Sequence, residues 1–407
     1  MIATNRIGMW ISDDGEIGTP DPSNLYRYVG NNPTNRTDPT GLYETDIHFY
    51  MTYYLSRAVG LGDPNLKNTQ KELRQRGENA VTPAYVIAWF AQHVDDNRLT
   101  TPIPMHIGDV NRLFNDDILF WHFYAVEIEV KTLGNRKELI QSLQQLGGPE
   151  RGKIKGAYYK TVIPLPVTKD SKYANELLGN TMRKVEGTDQ MLPNSDAMFG
   201  MALHTYEDSW SHAGFQMPFG HGAAKCGGHA PDLPWKEPER ATEMAQQVYL
   251  KLKDYAEKKY GIKKSVFEWS EIKEEVEGLM KTGKDLESPQ YDQGDKGIHQ
   301  KDLENRIKAW KEAIKKRFDG IEVEYQYKKE NDSRNDEWFG VFKQSIADIK
   351  PDSAPFVPRI TDVRVFVELV KEAYTELDKR KDAILPAQER PWLDLLRNVY
   401  QEAVKIK

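Results

Sequence analysis

Cysteine is nearly absent from this chain, which has Cys226 as its single cysteine among 407 residues. A disulfide needs two thiols, and thiolate zinc sites need several, so a single cysteine excludes both within the chain. A metal bound here must therefore use imidazole and carboxylate ligands.

Long apolar runs are also absent from the sequence. No window approaches the run of about 20 apolar residues that a transmembrane helix requires. The first residues lack the basic and apolar regions of a signal peptide. We therefore expect neither a membrane span nor export by the general secretory route.

The chain has no excess of basic residues either. Its 56 Lys and Arg stand against 62 Asp and Glu, which gives a formal net charge of -6. Because phosphate backbones are bound by clustered Lys and Arg, we expect no stable complex with nucleic acid. Aromatic residues are plentiful, with 9 Trp, 20 Tyr and 14 Phe, and this supply of core-forming side chains predicts a folded chain.

Residues 1–42 form an arm that differs in composition from the rest. Gly, Pro, Asn and Asp are crowded into it, which predicts short extended pieces separated by turns. Three of its elements resemble the end of the core shell of Rhs/YD-repeat polymorphic toxins: Asn24-Leu25-Tyr26-Arg27-Tyr28, Asn31-Asn32-Pro33 and Asp38-Pro39-Thr40-Gly41-Leu42. The alternative is an irregular arm of turn residues without this origin.

The resemblance to Rhs/YD-repeat toxins implies a cleavage site and several partners. In that family the shell encloses a variable C-terminal toxin and cuts itself just after the DPxGL element. This implies a scissile bond between Leu42 and Tyr43, with Asp38 in the cleavage motif. It also implies a toxin effector that a specialised secretion system, such as type VI, delivers into a target cell. Its partners would be the Rhs core shell and a cognate immunity protein.

Beyond the arm, the hydrophobic pattern predicts a mainly α fold, with a multi-helix domain followed by a helical C-terminal bundle. Helices are expected at 45–60, 82–96, 171–186 and 195–210, and near 238–259, 264–282, 299–318, 333–349, 360–383 and 388–405. Ser195 is expected to cap the fourth of these helices. Strands are expected only in the short irregular or β N-terminal arm and at 158–167.

Eight of the nine histidines lie between residues 48 and 229, which indicates a functional site in that part of the chain. Its strongest element is the run His204-x-x-x-Asp208-x-x-x-His212. On a helix, steps of four residues place these side chains in one row, which suits divalent ions such as zinc. A solvated polar face is the alternative, but the flanking residues are apolar, and a buried row without partners is costly.

Weaker candidates surround this run. Asp95 and Asp96 end the second helix, where acids oppose the helix dipole and so favour a nearby cation. Three more histidines are candidate ligands because of their apolar, aromatic or loop surroundings: His48, His122 and His229. Candidates for ligands or for partners of ligand histidines are Asp46, Glu207, His221 and Asp232. Satisfied core residues and solvated loop residues are the alternatives.

The order of these motifs resembles the zinc-dependent phospholipase C and single-strand nuclease superfamily. The motifs are DxH at 46–48, Asp-Asp at 95–96, HxxxDxxxH at 204–212 and GHxPD at 228–232. Members of that superfamily hold up to three zinc ions in an all-helical domain. The resemblance implies one to three divalent ions, zinc being the expected metal, and hydrolysis of phosphodiester bonds.

Clustered zinc ions suit phosphodiester hydrolysis because they lower the pKa of water and neutralise phosphoryl oxygens. Asp95 or Asp96 is the candidate general base. The acidic charge balance and the aromatic residues favour a phospholipid at a membrane surface. A metal-dependent nuclease on the same scaffold and a non-enzymatic helical domain that disrupts membranes or binds a protein are the alternatives.

The chain is therefore expected to contain three parts. These are an Rhs core remnant at 1–42, a metal-binding catalytic region at 43–235, and a helical bundle at 236–407 that packs on the catalytic region.

Cleavage after Leu42 predicts that the chain, produced together with its Rhs shell, is recovered as a fragment that begins at Tyr43. Asp38→Ala removes the acid of the DPxGL element and should leave the chain whole. Intact-mass spectrometry and N-terminal sequencing distinguish the two products. An uncut chain carrying the native Asp38 would contradict the predicted scissile bond.

Overall fold

The computed structural model describes residues 45–66, 82–97, 100, 125–130, 152–155, 158–164, 167–215, 224–226, 229–284, 296–325, 341, 344–345, 359–360, 363–385, 397 and 401. The arm 1–42 and the candidates Tyr43, His122 and His221 lie outside these residues. The described part of the chain is mainly helical, which confirms the predicted fold class.

Eight α-helices lie in the described ranges. A π-helical turn, Asp46–Met51, leads into α1 (Thr52–Ala58), and the helices that follow are α2 (Pro83–Asp96), α3 (Lys172–Thr181), α4 (Ser195–Ser211), α5 (Pro238–Tyr260), α6 (Trp269–Met280), α7 (Lys296–Arg317) and α8 (Val363–Ile384). Two short 3₁₀ turns, Ala230–Asp232 and Pro234–Lys236, lie between α4 and α5. No described helix combines the length and the apolar character needed to cross a bilayer.

The predicted helices largely correspond to observed ones. The helix expected at 171–186 is shorter and ends at Thr181 in α3. Four stretches of the predicted bundle correspond to α5, α6, α7 and α8. Most residues of the stretches at 333–349 and 388–405 lie outside the described residues.

Four strands form a sheet that the sequence analysis largely missed. They are β1 (Ala125–Val130), β2 (Gly152–Lys155), β3 (Tyr158–Pro164) and β4 (Arg359–Ile360), in the spatial order β2-β3-β1-β4. β1 pairs with β3 antiparallel and with β4 parallel. Confining strands to the arm and to 158–167 is right for β3 and wrong for the other three. A strand as short as β4 carries no readable alternation.

The start of α2 follows its sequence signals, whereas the start of α4 does not. Thr82 Oγ1 accepts a hydrogen bond from the backbone N–H of Tyr85, and Pro83 occupies the first helical position. The predicted capping role of Ser195 is wrong, because Ser195 is already the first residue of α4 and follows the left-handed Asn194. Its hydroxyl accepts a hydrogen bond from the hydroxyl of Tyr255 on α5 at 3.2 Å.

Helix α4 is the centre of the fold, since all of its residues are buried. It packs against α2, α3 and α5. The contact with α2 is close, because a Cβ atom on Gly200 would lie 2.3 Å from the backbone oxygen of Ile87. Glycine at this position lets the two backbones approach. Their approach brings the C-terminal end of α2 beside the row that runs from His204 to His212.

Two arginines close the C-terminal end of α4. Arg380 of α8 donates a hydrogen bond from Nη1 to the backbone oxygen of Ala213, two residues after the last residue of α4, at 2.7 Å. Arg240 of α5 donates from Nη1 to the backbone oxygen of Trp210 at 3.2 Å. Cationic donors satisfy the carbonyl groups that a helix leaves open at its C-terminus. The later helices therefore hold the end of α4 on which His212 lies.

The regions 43–235 and 236–407 share one hydrophobic core. A single cluster of buried side chains runs from Ile47 to Leu385 within the described residues. Helix α5 packs against α1 and α4, and α7 packs against the π-helical turn. The described C-terminal helices therefore lie directly on the part of the chain that carries the histidines.

Gly200→Ala should destabilise the protein, since a methyl group at this position forces α2 away from α4. We expect the free energy of unfolding to fall by about 1–3 kcal/mol, the usual cost of overpacking. Gly179→Ala in α3 is the matched control, because a Cβ atom there meets no other atom within 4 Å. Urea denaturation followed by circular dichroism compares the two variants. Equal stability of both would contradict the close approach.

Candidate metal centre

The site begins at the π-helical turn Asp46–Met51, whose residues are all buried. Turns of this kind are rare and occur frequently at functional sites. The turn carries His48, whose side chain is fully buried and faces α4.

Helix α4 supplies most of the other side chains of the site. Steps of four residues align His204, Asp208 and His212 on one face of the helix, and all three are fully buried. Ionisable side chains in such a position need hydrogen-bonding partners or a bound ion. The contacts of each residue in this row therefore decide what the site can do.

The donor atoms of His48, His204 and Asp208 lie within 4.8 Å of one another. His48 Nε2 lies 3.4 Å from Asp208 Oδ1, and His204 Nε2 lies 3.3 Å from Asp208 Oδ2. The centroids of the two imidazole rings are 4.1 Å apart. Two imidazole nitrogens and one carboxylate therefore face the same small volume.

Asp95, near the end of α2, adds a fourth group to this cluster. Its Oδ1 lies 3.5 Å from His204 Nε2, and its Oδ2 lies 3.8 Å from His48 Nε2. The side chain of Asp95 is 10% exposed, whereas those of His48, His204 and Asp208 are 0% exposed. Solvent therefore reaches the cluster from the side of Asp95.

Glu207 orients His48 from the side opposite the cluster. His48 Nδ1 donates a hydrogen bond to Glu207 Oε2 at 2.6 Å, and Thr52 Oγ1 donates one to Glu207 Oε1 at 2.7 Å. A proton on Nδ1 leaves the Nε2 lone pair of His48 directed at the cluster. A carboxylate behind a ligand histidine fixes both the tautomer and the ring orientation, as in many zinc sites.

The donor set of the cluster fits a divalent ion such as zinc. Two atoms that bind one tetrahedral zinc at the usual bond lengths lie about 3.3 Å apart. The separations between imidazole nitrogen and carboxylate oxygen in the cluster are 3.3, 3.4, 3.5 and 3.8 Å. Imidazole and carboxylate are also the ligand types that such ions accept. His48, His204 and Asp208, with Asp95 beside them, can therefore hold a divalent ion.

The electrostatics of the cluster favour a positive charge inside it. Burial raises the pKa of Asp95 well above its ordinary value, and the neighbouring carboxylates Asp208 and Asp96 raise it further, against the effect of His48. Burial also raises the pKa of Glu207. Burial by itself lowers the pKa of His48, but hydrogen bonds to Asp208 and Glu207 and the charge of Asp95 bring it well above the ordinary value. A bound cation would relieve this crowding of carboxylates.

His212 and Asp232 extend the cluster along α4. His212 Nδ1 lies 3.8 Å from Asp208 Oδ2, and its Nε2 lies 3.2 Å from Asp232 Oδ1. The two ring nitrogens of His212 therefore face two different carboxylates. Asp208 lies between the histidine pair and His212, in a position either to connect two ions or to be oriented by His212.

Two other candidates from the sequence have their described contacts with α7. Asp46 pairs with Arg306, whose Nη1 lies 2.6 Å from Asp46 Oδ1. His229 lies beside His299, with ring centroids 4.8 Å apart. The structure therefore brings His48, Asp95, Glu207 and the α4 row together, and places Asp46 and His229 against the C-terminal region.

His93, one turn before the end of α2, has a structural role. Its ring stacks on Trp89 with centroids 4.2 Å apart, and its Nε2 lies 2.9 Å from Asn97 Nδ2. Burial lowers the pKa of His93 to about 3, which keeps the ring neutral.

Several residues of the site were not predicted from the sequence. Thr52 lies one helical turn after His48, and that spacing alone could have placed it near the same partner. Tyr325, whose hydroxyl donates to Asp96 Oδ2 at 2.5 Å, has no such signal because 229 residues separate the two. Arg306 is equally remote from Asp46 in the sequence.

Comparison with known proteins gives a match for part of the chain. Residues 43–217 match the family model DUF6765, a family of unknown function. The matched range spans the π-helical turn to the end of α4 and so includes the trio His48, His204 and Asp208. It ends before Asp232. No curated protein and no solved structure matches the chain significantly.

His204→Ala and Asp208→Ala should each abolish stoichiometric zinc binding, because each removes one ligand of a three-residue group. Glu207→Gln keeps the trio but weakens the orientation of His48, so zinc affinity should fall by about 10–100-fold. His93→Gln, which changes a buried histidine outside the trio, is the matched control and should bind zinc as the wild type does.

Elemental analysis after removal and re-addition of zinc, together with calorimetric titration, measures these effects. Full zinc occupancy in His204→Ala, or loss of zinc in His93→Gln, would contradict the assignment of the trio.

Proposed function

We propose that the chain is a metal-dependent phosphodiester hydrolase that acts on phospholipids. The observation that carries this proposal is the buried group His48, His204 and Asp208, whose donor atoms lie within 4.8 Å of one another. We further propose zinc as the metal, in one to three positions.

Zinc held by this group would supply Lewis acidity, which lowers the pKa of water and neutralises charge on the phosphoryl group. The Nε2 atoms of His48 and His204 face the Asp208 carboxylate and would ligate the ion, with Glu207 keeping His48 in the tautomer that ligation needs. Asp208 places one carboxylate oxygen beside His48 and the other beside His204. These residues would hold the ion, and their burial excludes bulk water from their side of the site.

Asp95 is the proposed general base. It is the partly exposed member of the cluster, so it lies between the buried histidines and the side from which substrate and water arrive. As the water oxygen attacks phosphorus, its proton passes to the Asp95 carboxylate. The bond from phosphorus to the leaving alkoxide breaks, and the alkoxide takes the proton from the Asp95 carboxyl and departs as the free alcohol. Asp96 is the neighbouring carboxylate with access to the same side.

Charge and aromatic content support a lipid substrate. The net charge of -6 disfavours a polyanion as large as a nucleic acid. Two partly exposed aromatic side chains lie beside the site: Tyr325, which donates to Asp96, and Tyr85, which packs on Phe49. Such side chains pack against lipid and head-group surfaces.

The delivery part of the proposal rests on the arm. We propose that the chain is the toxin end of an Rhs/YD-repeat protein, released after Leu42 and opposed by an immunity protein. The range that matches the family model begins at residue 43, directly after the proposed scissile bond. This coincidence supports the separation of an arm from the region that carries the metal group.

The zinc-loaded chain should release phosphorylated head groups from phosphatidylcholine vesicles and leave single-stranded DNA intact. The His204→Ala/Asp208→Ala double variant should lose this activity, because it loses the metal group, and His93→Gln should keep it. Phosphate-specific detection of the aqueous phase and gel analysis of the DNA measure the two activities.

Cleavage of DNA with intact vesicles would replace the lipid proposal by a nuclease on the same site. Undiminished toxicity of the double variant in target cells would instead point to the non-enzymatic helical domain and overturn hydrolysis as the function.

A further inference from the structure

The segment 296–325 of the C-terminal region contacts two residues that neighbour the metal cluster in the chain, Asp46 and Asp96. Helix α7 packs against the π-helical turn that carries His48. The residues after α7 return to the end of α2, where Asp95 lies. Both contacts come from outside the range 43–217 that matches the family model.

Arg306 of α7 makes the first contact. Its Nη1 lies 2.6 Å from Asp46 Oδ1, and its Nε donates to Asp302 Oδ2 at 3.0 Å. Asp302 Oδ2 also accepts a hydrogen bond from Trp235 Nε1 at 3.2 Å. Arg306, Asp302 and Asp46 are buried, so the low dielectric around them strengthens these contacts. The group fixes Asp46, which begins the turn and precedes His48 by two residues.

Tyr325 makes the second contact. Its hydroxyl donates to Asp96 Oδ2 at 2.5 Å, and Asp96 is the chain neighbour of Asp95. Its ring lies against Phe49 and Trp89, with centroids 5.1 and 6.2 Å apart. Phe49 follows His48 in the turn, so Tyr325 bridges the turn and the end of α2.

The segment that carries Tyr325 is itself held in place. The backbone N–H of Tyr325 donates to the hydroxyl of Tyr50 at 3.4 Å. The hydroxyl of Tyr85 donates to the backbone oxygen of Glu324 at 3.3 Å, and Lys311 of α7 pairs with the Glu324 carboxylate. Tyr325 therefore lies in a defined position on the side where the cluster meets solvent.

We propose that the segment 296–325 supports the metal centre, with Tyr325 and Arg306 acting as positioning residues. Tyr325 holds the Asp96 carboxylate beside Asp95, and Arg306 holds the turn that presents His48. This inference rests on the proposed metal-dependent function and assigns to that site two residues from the predicted bundle.

The physical basis is the sensitivity of metal sites to the groups behind their ligands. Partners that orient ligands usually change metal affinity by about 10–100-fold when they are removed. Tyr325→Phe removes one hydroxyl and keeps the ring packing, so it isolates the contact with Asp96.

Co²⁺ is the probe for the first test, because its absorption spectrum reports the geometry of its ligands. In the full chain, Tyr325→Phe should bind Co²⁺ at least about 10-fold more weakly than wild type, with an altered visible spectrum. Tyr260→Phe is the matched control, since it also loses one tyrosine hydroxyl hydrogen bond to a carboxylate, at 2.8 Å from Asp196 Oδ2, but does not contact Asp96 or the segment that carries Tyr325. It should bind Co²⁺ as wild type does.

Arg306→Lys and Arg317→Lys form the second pair. Both substitutions keep the positive charge on α7 but replace a guanidinium, which can donate two hydrogen bonds at once, by an ammonium group. In the wild type, Arg317 donates to Glu275 Oε2 from Nε at 3.0 Å and from Nη2 at 2.8 Å. Only Arg306→Lys should weaken Co²⁺ binding, because only Arg306 contacts the turn. Thermal unfolding of each metal-free variant shows whether it is folded.

Unchanged Co²⁺ affinity and spectrum in folded Tyr325→Phe would overturn the inference, even if the wild type hydrolyses phosphodiesters. If Tyr325→Phe and Arg306→Lys show the expected changes in Co²⁺ binding but the wild type hydrolyses no phosphodiester, the inference is supported and the proposed hydrolase activity is overturned. A wild type that binds no Co²⁺ would overturn both.

Discussion

The complete burial of α4 is the constraint on which the rest of the structure depends. This helix carries three ionisable side chains of the site, His204, Glu207 and Asp208, into the interior, where a charge without partners costs on the order of several kcal/mol. The surrounding elements meet this requirement: the π-helical turn brings His48, α2 brings Asp95, and a 3₁₀ turn brings Asp232. The contacts that fill the core and the contacts that form the candidate metal site are therefore largely the same.

The close approach of α2 and α4 sets the distances between the side chains of the site. Gly200 lets the backbone of α4 reach that of α2, and this sets how far Asp95 lies from His204. Arg240 holds the backbone oxygen of Trp210 in the last turn of α4, and Arg380 holds that of Ala213, two residues after the helix ends. A helix fixed at its middle and at its end keeps its intervening row of side chains in register with neighbouring elements.

The site also joins distant parts of the chain. The range 43–217 that matches a family model contains the metal trio, whereas Asp232, Arg306 and Tyr325 come from later in the chain. The described C-terminal helices share the core of the histidine-bearing region, and the segment 296–325 contacts Asp46 and Asp96 beside the cluster. The proposed hydrolase would then depend on the whole described core rather than on the matched region alone.

Local patterns in the sequence determined the mainly helical fold, the start of α2 and the row His204, Asp208 and His212, because helical periodicity and capping are set by residues close together in the chain. They did not determine the short strands, the first residue of α4, or which of the scattered candidates share a site. The meeting of His48 with Glu207 and of Asp96 with Tyr325 joins residues more than 150 positions apart. Only the packing of whole helices brings such pairs together, since no local pattern encodes a contact between distant segments.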